Sequence, residues 1–425
     1  MTQEIEQENL QENSREIKSR NIHEILNFCV NLSRQMVLAG ANLERVHLAI
    51  EFICRAYGLK DLSIFLLSTH VSVSAYDEFG NYSIRQASIP PAGIHLERLK
   101  SLNQLSYKVA EITPNTKLLE KMLERSLQVR DYSDLIVLLG RVSAMSCLCF
   151  IFGGGIFEFL TVAGVTAFVH FIMKFFEKSG LDRILVDALT TWLATVAAIV
   201  FILVGLQSNL AVVMITVLML MIPGVPLVNA MRNLFCNYEI NGILQIFKIV
   251  IETLALAMGV FVAFAMFENV IPINEIAQPL SNPFLLIMFS YLASISFGVV
   301  FRIPPKDLWL AGLGGALSRI SLLALTPLTS NRLLYMTISA SIAALYAEFL
   351  ATKRRQPSTY YIYPSIIPLI PGDLFFYAIS GFYLNNLDWV KLNGVNCLLS
   401  LFGLSIGFVL SSTFAHYVRR YRYGH

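Results

Sequence analysis

Three rhythms of apolar residues succeed one another along the chain. From Ile22, apolar positions recur at three- and four-residue steps (Ile22, Ile25, Leu26, Cys29, Leu32, Met36). That spacing predicts an amphipathic helix, and Gly40 is placed to end it. Asn42 can cap a second helix that runs to Tyr57 and stops at Gly58. The step then shortens to two. Residues 62–67, 71–76 and 82–85 read as strands, with Asp77-Glu78-Phe79-Gly80-Asn81 as a hairpin turn between the last two. Pro90-Pro91-Ala92-Gly93 breaks the chain before a helix from about His95 to Ala110, and Thr113-Pro114-Asn115 leads into another from Lys117 to about Leu127. Residues 21–134 therefore read as an α+β domain. Residues 1–20 are polar, rich in Glu and Gln, and read as a disordered tail without a signal peptide, which puts the N-terminus in the cytoplasm.

After Asp134 the third rhythm begins: long apolar runs with few polar positions. A spanning helix needs about 20 mostly apolar residues. Ten segments qualify: 135–156, 158–174, 184–206, 209–230, 242–266, 283–301, 308–325, 332–350, 359–381 and 393–418. The predicted fold class is a polytopic α-helical membrane protein with a cytoplasmic N-terminal domain. Residues 135–268 form a first five-span unit, 283–418 a second, and 419–425 a basic cytoplasmic tail. Composition agrees: 55% of the 425 residues are hydrophobic and 14% charged, against about 25% charged in soluble domains.

Charge tests the span count. With the N-terminus inside, the inside loops hold Lys174, Lys178 and Arg183; Arg232; Arg302 and Lys306; Lys353, Arg354 and Arg355; then Arg419, Arg420 and Arg422. The outside loops hold only Arg332 and Lys391, and the loop from Phe267 to Asn282 has two Glu and no Lys or Arg. One missed span would swap every later loop, so the agreement with the positive-inside rule supports the count.

Ten spans divide as five plus five. The fourth contains Ile222-Pro223-Gly224-Val225-Pro226 and the ninth Ile370-Pro371-Gly372-Asp373, at the same ordinal position in each half. Five is odd, so the second half must insert upside down, giving two inverted five-helix repeats. Proline removes a backbone donor and glycine tolerates the freed geometry, so each motif predicts a broken helix. Paired broken helices point to a substrate site. Around them, Asp373 can bind a proton or a substrate amine, Arg319 can hold a carboxylate bidentately, and Asn229 and Asn233 can donate hydrogen bonds. Glu252 follows Lys248 by four residues and reads as a self-neutralising pair. Glu158 and Glu348, near span ends, read as snorkelling to water.

Other chemistries find no support. The six cysteines show no C-x-x-C pair and no zinc spacing with histidine, so they read as reduced and structural, with no metal or other cofactor implied. A net charge of +3 does not suggest a nucleic-acid partner. No nucleophile elbow, H-E-x-x-H or Walker P-loop occurs, which argues against an enzyme and against ATP drive within the chain. The partners implied are a lipid bilayer and a small-molecule substrate; a homo-oligomer is compatible with the sequence.

Gly40-Ala41-Asn42-Leu43-Glu44-Arg45, the stretch from Ile94 to Asn103 and the two Ile-Pro-Gly motifs carry a resemblance that covers nearly the whole chain after Asn21. The sequence resembles the threonine/serine exporter family in its fused form, with both membrane units in one chain. In that family Gly40, Glu44 and Arg45 match a signature of the cytoplasmic domain. The resemblance implies a secondary transporter of a bacterial inner (plasma) membrane, with both termini cytoplasmic, that exports threonine and serine and is proton-coupled. The substrate would sit among Pro223, Gly224, Pro226, Asn229, Arg319, Pro371, Gly372 and Asp373. In some relatives the two membrane units are separate proteins, and one such pair is associated with succinate export, so a dicarboxylate exporter is the alternative. A membrane-anchored hydrolase using the soluble domain is the more remote one.

Overall fold

The computed structural model describes residues 22–90, 93–206, 208–236, 238–268, 276–354 and 356–423, and of residues 416 and 418–423 only the backbone. The expected disordered tail and all the side chains of the basic C-terminal tail, 419–425, lie outside the described residues. So do residues 269–275 of the loop between the halves. The chain forms two compact units. One ends at Asp131 and includes Arg354–Thr359; the other comprises Tyr132–Lys353 and Tyr360–His425.

The first unit holds α1 (22–38), α2 (Leu43–Ala56), β1 (Lys60–Leu66), β2 (His70–Tyr76), β3 (Tyr82–Ser88), α3 (Leu96–Ile112) and α4 (Thr116–Leu127). The three strands form one antiparallel sheet in the order β1-β2-β3. The third strand runs to Ser88, beyond its predicted end, because Gln86, Ala87 and Ser88 pair with Ser72, Val71 and His70. Val71, Val73 and Ala75 on one face of β2 are buried, as are Val46, Ile50 and Ile53 of α2 and Leu99, Leu102 and Val109 of α3. Gly40, at φ +90°, ends α1. Its N–H donates to Val37 O at 2.9 Å and that of Ala41 to Met36 O at 3.0 Å, the paired closure that favours glycine.

The second unit is helical: α5 (Asp134–Ile151), α6 (Ile156–Glu177), α7 (Arg183–Leu203), α8 (Leu210–Leu218), α9 (Gly224–Phe235), α10 (Glu239–Met266), α11 (Pro283–Val300), α12 (Leu308–Leu325), α13 (Arg332–Arg354), α14 (Thr359–Ile366), α15 (Gly372–Tyr383) and α16 (Leu387–Tyr423). Among the described residues eight helices are long and apolar enough to cross a bilayer: α5, α6, α7, α10, α11, α12 with the 3-10 turn before it, α13 and α16. The segment from Thr359 to Tyr383 is a ninth if its two arms, bent by 51°, count as one span. The expected fourth span, 209–230, is two short helices, α8 and α9, separated by residues 219–223. This is a polytopic membrane protein.

Its helices recur at a nearly constant interval. Asp134 and Pro283, which open α5 and α11, are 149 residues apart, as are Arg183 and Arg332, which open α7 and α13. Gly224 and Gly372 are 148 apart, as are Glu239 and Leu387. Packing recurs too. A Cβ on Gly259 would lie 2.5 Å from Ala188 O, and one on Gly407 2.6 Å from Thr337 O, so α10 crosses α7 and α16 crosses α13 at a bare glycine. The first helices of the two halves run antiparallel. Ser143 Oγ lies 2.9 Å from Ser296 Oγ, and the Phe150 ring stacks on Phe289 at 4.9 Å.

Candidate functional site

Proline has no N–H to donate, so the α-helical ladder must fail around Pro223 and Pro371. It fails in the same way twice. Pro223 sits at φ −75°, ψ 53° and Pro371 at φ −81°, ψ 63°. Gly224 N–H donates back to Ile222 O at 2.8 Å, and Gly372 N–H to Ile370 O at 2.9 Å. Both prolines are thus centres of inverse γ-turns, and a new helix starts at each glycine.

The two breaks cross. A Cβ on Gly224 would meet Ile370 Cδ1 at 2.8 Å; one on Gly372 would meet Met219 Sδ at 1.9 Å. Each glycine therefore packs against the residues leading into the other break. This corrects the reason for glycine expected from sequence. Neither Gly224 nor Gly372 adopts the left-handed conformation; what each supplies is room for a close crossing.

A break frees carbonyls, and in a membrane they need partners. With Gly372 N–H turned to Ile370, the Pro368 carbonyl loses its helical donor. Arg319 of α12 supplies one: Nη2 lies 3.0 Å from Pro368 O, while Nε donates to Ser290 Oγ of α11 at 3.0 Å. One guanidinium so ties α11, α12 and the second break together. Asp373 lies in the first turn of α15, where the helix dipole favours a carboxylate. The cations acting on it are Arg332 and, more weakly, Arg319. Arg319 and Asp373 share this neighbourhood without a direct ion pair, both of Arg319's hydrogen bonds going elsewhere.

The other candidates divide. Asn229 of α9 donates to the Tyr363 hydroxyl of α14 at 2.8 Å, which joins the two broken segments a second time. Pro226 is exposed, two residues into α9. Asn233 is buried and donates to Gln245 Oε1 at 3.0 Å; it pins α9 to α10 rather than facing the crossing. Glu252 lies 3.9 Å from Lys248, as expected, and 3.6 Å from Arg183.

Two readings need correction. Glu158 does not snorkel. One carboxylate oxygen accepts from Gly155 N–H and the other from Asn209 N–H, both at 2.8 Å, so one side chain caps the starts of α6 and α8. Glu348 is buried at 6% exposure, which also excludes snorkelling. Arg332 opens α13, where the expected span 332–350 begins, and donates to Ser400 Oγ at 3.4 Å.

In the first unit, Gly40, Glu44 and Arg45 are separate from the breaks. Arg45 Nε donates to Asn103 Oδ1, and its guanidinium lies 4.6 Å from the Tyr107 ring centroid. His95 N–H donates to Ala39 O at 3.1 Å. The segment from Gly40 to Arg45 and the one from Ile94 to Asn103 therefore fold against each other, which explains their residue types as packing within this unit.

The sequence pattern of the family described as "Putative threonine/serine exporter" matches residues 27–267, and that of "Threonine/Serine exporter, ThrE" matches residues 286–414. The chain belongs to the threonine/serine exporter family. It is similar to a protein of Mycobacterium tuberculosis (strain ATCC 25618 / H37Rv) described as "Probable threonine/serine exporter", at 18% identity over 377 residues, covering 85% of this chain and 70% of that one. No solved structure matches.

For this exporter-family member, sequence reasoning passed over two titratable residues that the helices bury or bring inward: Arg141 and His170. The signal was present for both. Each interrupts an apolar run, and a titratable residue inside a span marks a site. Among the described residues no cluster of metal-ligating side chains occurs.

Proposed function

We propose that this protein is a secondary transporter that exports threonine and serine across a bacterial inner membrane, drawing on the proton gradient, with the solute held at the crossing of the two broken helices. The observation that carries the reading is the reciprocal crossing itself, Gly224 against Ile370 and Gly372 against Met219. It gathers backbone freed by two helix breaks beside Arg319 and the carboxylate of Asp373, on which Arg332 also acts. An α-amino acid carries the complementary pair of charges: Arg319, whose Nε and Nη2 are held by Ser290 and Pro368, takes its carboxylate through Nη1, and Asp373 takes its ammonium group. Asp373 is also the proton carrier, since it can exchange the substrate ammonium for a proton. Membership of the exporter family supports both the transport class and the amino-acid substrate.

The two halves work as inverted repeats in this reading. Its support is the recurrence of helix starts at 148 or 149 residues and the antiparallel packing of α5 on α11. With α8 and α9 as one broken span and α14 and α15 as another, ten spans result, and both termini lie in the cytoplasm, the side that carries the Lys and Arg loops.

A dicarboxylate is the second reading, and Arg332 favours it: two cations, not one, act on the surroundings of Asp373. Counterflow in proteoliposomes, loaded in turn with threonine, serine or succinate, separates the readings. Saturable exchange of threonine or serine, lost in Asp373→Asn and in Arg319→Gln, is the expected result. Exchange of succinate alone transfers the site to a dicarboxylate. Exchange of threonine that survives both substitutions removes the crossing as the site.

A further inference from the structure

The contact between Ser290 and Arg319 has a counterpart 149 residues earlier. Arg141 on α5 and His170 on α6 hold the matching positions, and Arg141 Nη1 lies 3.2 Å from His170 Nδ1. A guanidinium can only donate, so Nδ1 accepts and the ring proton sits on Nε2. In both halves, then, the first two helices carry an Arg against a polar partner at matching positions. They differ in which helix bears the Arg.

Because α5 and α11 are antiparallel, the two pairs lie toward opposite ends of the bundle. The stacking of Phe150 on Phe289 and the contact of Ser143 with Ser296 put Ser290 level with Cys149. Arg141 is two helical turns from that level, about 12 Å at the α-helical rise.

The two arginines are not equally occupied. Arg319 spends Nε on Ser290 and Nη2 on Pro368. Among the described residues Arg141 makes one hydrogen bond, to His170, with Glu177 the foremost carboxylate acting on it from a distance, and its Nε is buried without a hydrogen-bond partner. Thr166, one turn before His170 on the same face of α6, is fully buried, and its hydroxyl also lacks a partner. The carboxylate of Asp134, at the start of α5, is taken by Lys174. Groups of this kind are rarely left orphaned inside a protein. The free Nε edge of a guanidinium is the one that grips a carboxylate with two parallel hydrogen bonds.

We propose that Arg141, His170 and Thr166 form a second carboxylate-binding position, for the carboxylate of the transported solute, toward the end of the bundle opposite Arg319. It rests on the reading of the protein as a carrier of a carboxylate-bearing solute. The solute enters or leaves through this position on its way to or from the Arg319 position beside the crossed breaks. The free edge of Arg141 takes the carboxylate, and the Thr166 hydroxyl donates a third hydrogen bond.

The test is modification of the full-length protein in proteoliposomes with phenylglyoxal, which reacts with arginine, with the modified residues mapped by mass spectrometry. Threonine is expected to slow modification of Arg141 and of Arg319 several-fold, while threoninamide, which lacks the carboxylate, protects neither. Thr166→Val is expected to weaken protection at Arg141 and leave that at Arg319 intact, which also reports that the variant is folded. Protection by succinate in place of threonine keeps the second position and overturns the amino-acid reading. Protection of Arg319 without Arg141, by any of these solutes, overturns the second position and leaves the first standing; protection of neither overturns both.

Discussion

Gly372→Ala separates two explanations of the Pro-Gly breaks. If glycine served only to loosen the backbone, alanine would be harmless or better. Gly372 is the first residue of α15 in an ordinary conformation, and in a helix interior alanine is favoured over glycine by about 0.8–1.0 kcal/mol. The crossing argues the opposite sign. The added Cβ would lie 1.9 Å from Met219 Sδ and 2.8 Å from its Cγ, and Met219 is itself buried at 7% exposure. Methionine can change rotamer, but here it would have to do so inside a packed interior, and overpacking of this kind costs about 1–3 kcal/mol. The net expectation is a loss of roughly 1–2 kcal/mol once any gain in helix propensity is subtracted. Met219→Ala removes the atoms in the way, so the double variant is expected to be more stable than the sum of the single changes predicts. Heating the purified protein and its three variants in one detergent, with the folded fraction followed by fluorescence-detected gel filtration, reads this directly. A Gly372→Ala protein as stable as the parent, or strictly additive behaviour with Met219→Ala, would refute the close-crossing argument.

Two further expectations follow from single contacts. Asn229→Leu removes the hydrogen bond to the Tyr363 hydroxyl, at a cost of about 0.5–1.5 kcal/mol; Tyr363→Phe is expected to lose the same bond, so the double variant should be less destabilised than the sum of the two single changes, and strictly additive losses in the same thermal assay would show that this bond is not what joins α9 to α14. In the first unit, burial opposes ionisation of Asp77, but hydrogen bonds from the Asn81 side chain and from the backbone of Asn81, Phe79 and Gly80 outweigh it and hold the carboxyl below its ordinary value. A lowered folded value means the ionised turn stabilises the hairpin above the unfolded carboxyl value, near 3.9, and that this contribution is lost as pH falls through the lowered folded value. Hydrogen exchange of residues 79–81, corrected for intrinsic rates, is expected to show protection falling in acid for the parent and nearly flat with pH in Asp77→Asn; equal acid sensitivity in both would put the cause elsewhere.

The outline of the fold was legible because it rests on local signals. Helical spacing from Ile22 and the cap at Asn42 read directly as α1 and α2, and apolar runs of sufficient length read as α5 through α7 or α11 through α13. The site was legible only in part. Pro223 and Pro371 announce their breaks, because a missing donor is a property of the residue. That the breaks cross each other is a long-range fact about Met219 and Ile370, residues that look like any apolar side chain. Glu158 was misread for a related reason: its distance from the span end says nothing of the Asn209 amide that α8 delivers to it. Arg141 and His170 were passed over because each is a lone polar residue in an apolar run; only their shared offset from Ser290 and Arg319 makes them a pair.

The seam between α5 and α11 also bears on how the protein is made. Synthesis proceeds from the N-terminus, so α5 through α10 leave the ribosome before α11 exists. Until then the face of α5 that bears Gly140, Ser143 and Phe150 touches only lipid or the insertion machinery, and the break at Pro223 has no second break to cross. The first half is a finished sequence with an unfinished interior. Its one break and the polar side chains of that face are completed by a segment that arrives later and packs in the opposite direction, so the crossing of Gly224 with Ile370 and of Gly372 with Met219 forms only when the two halves assemble.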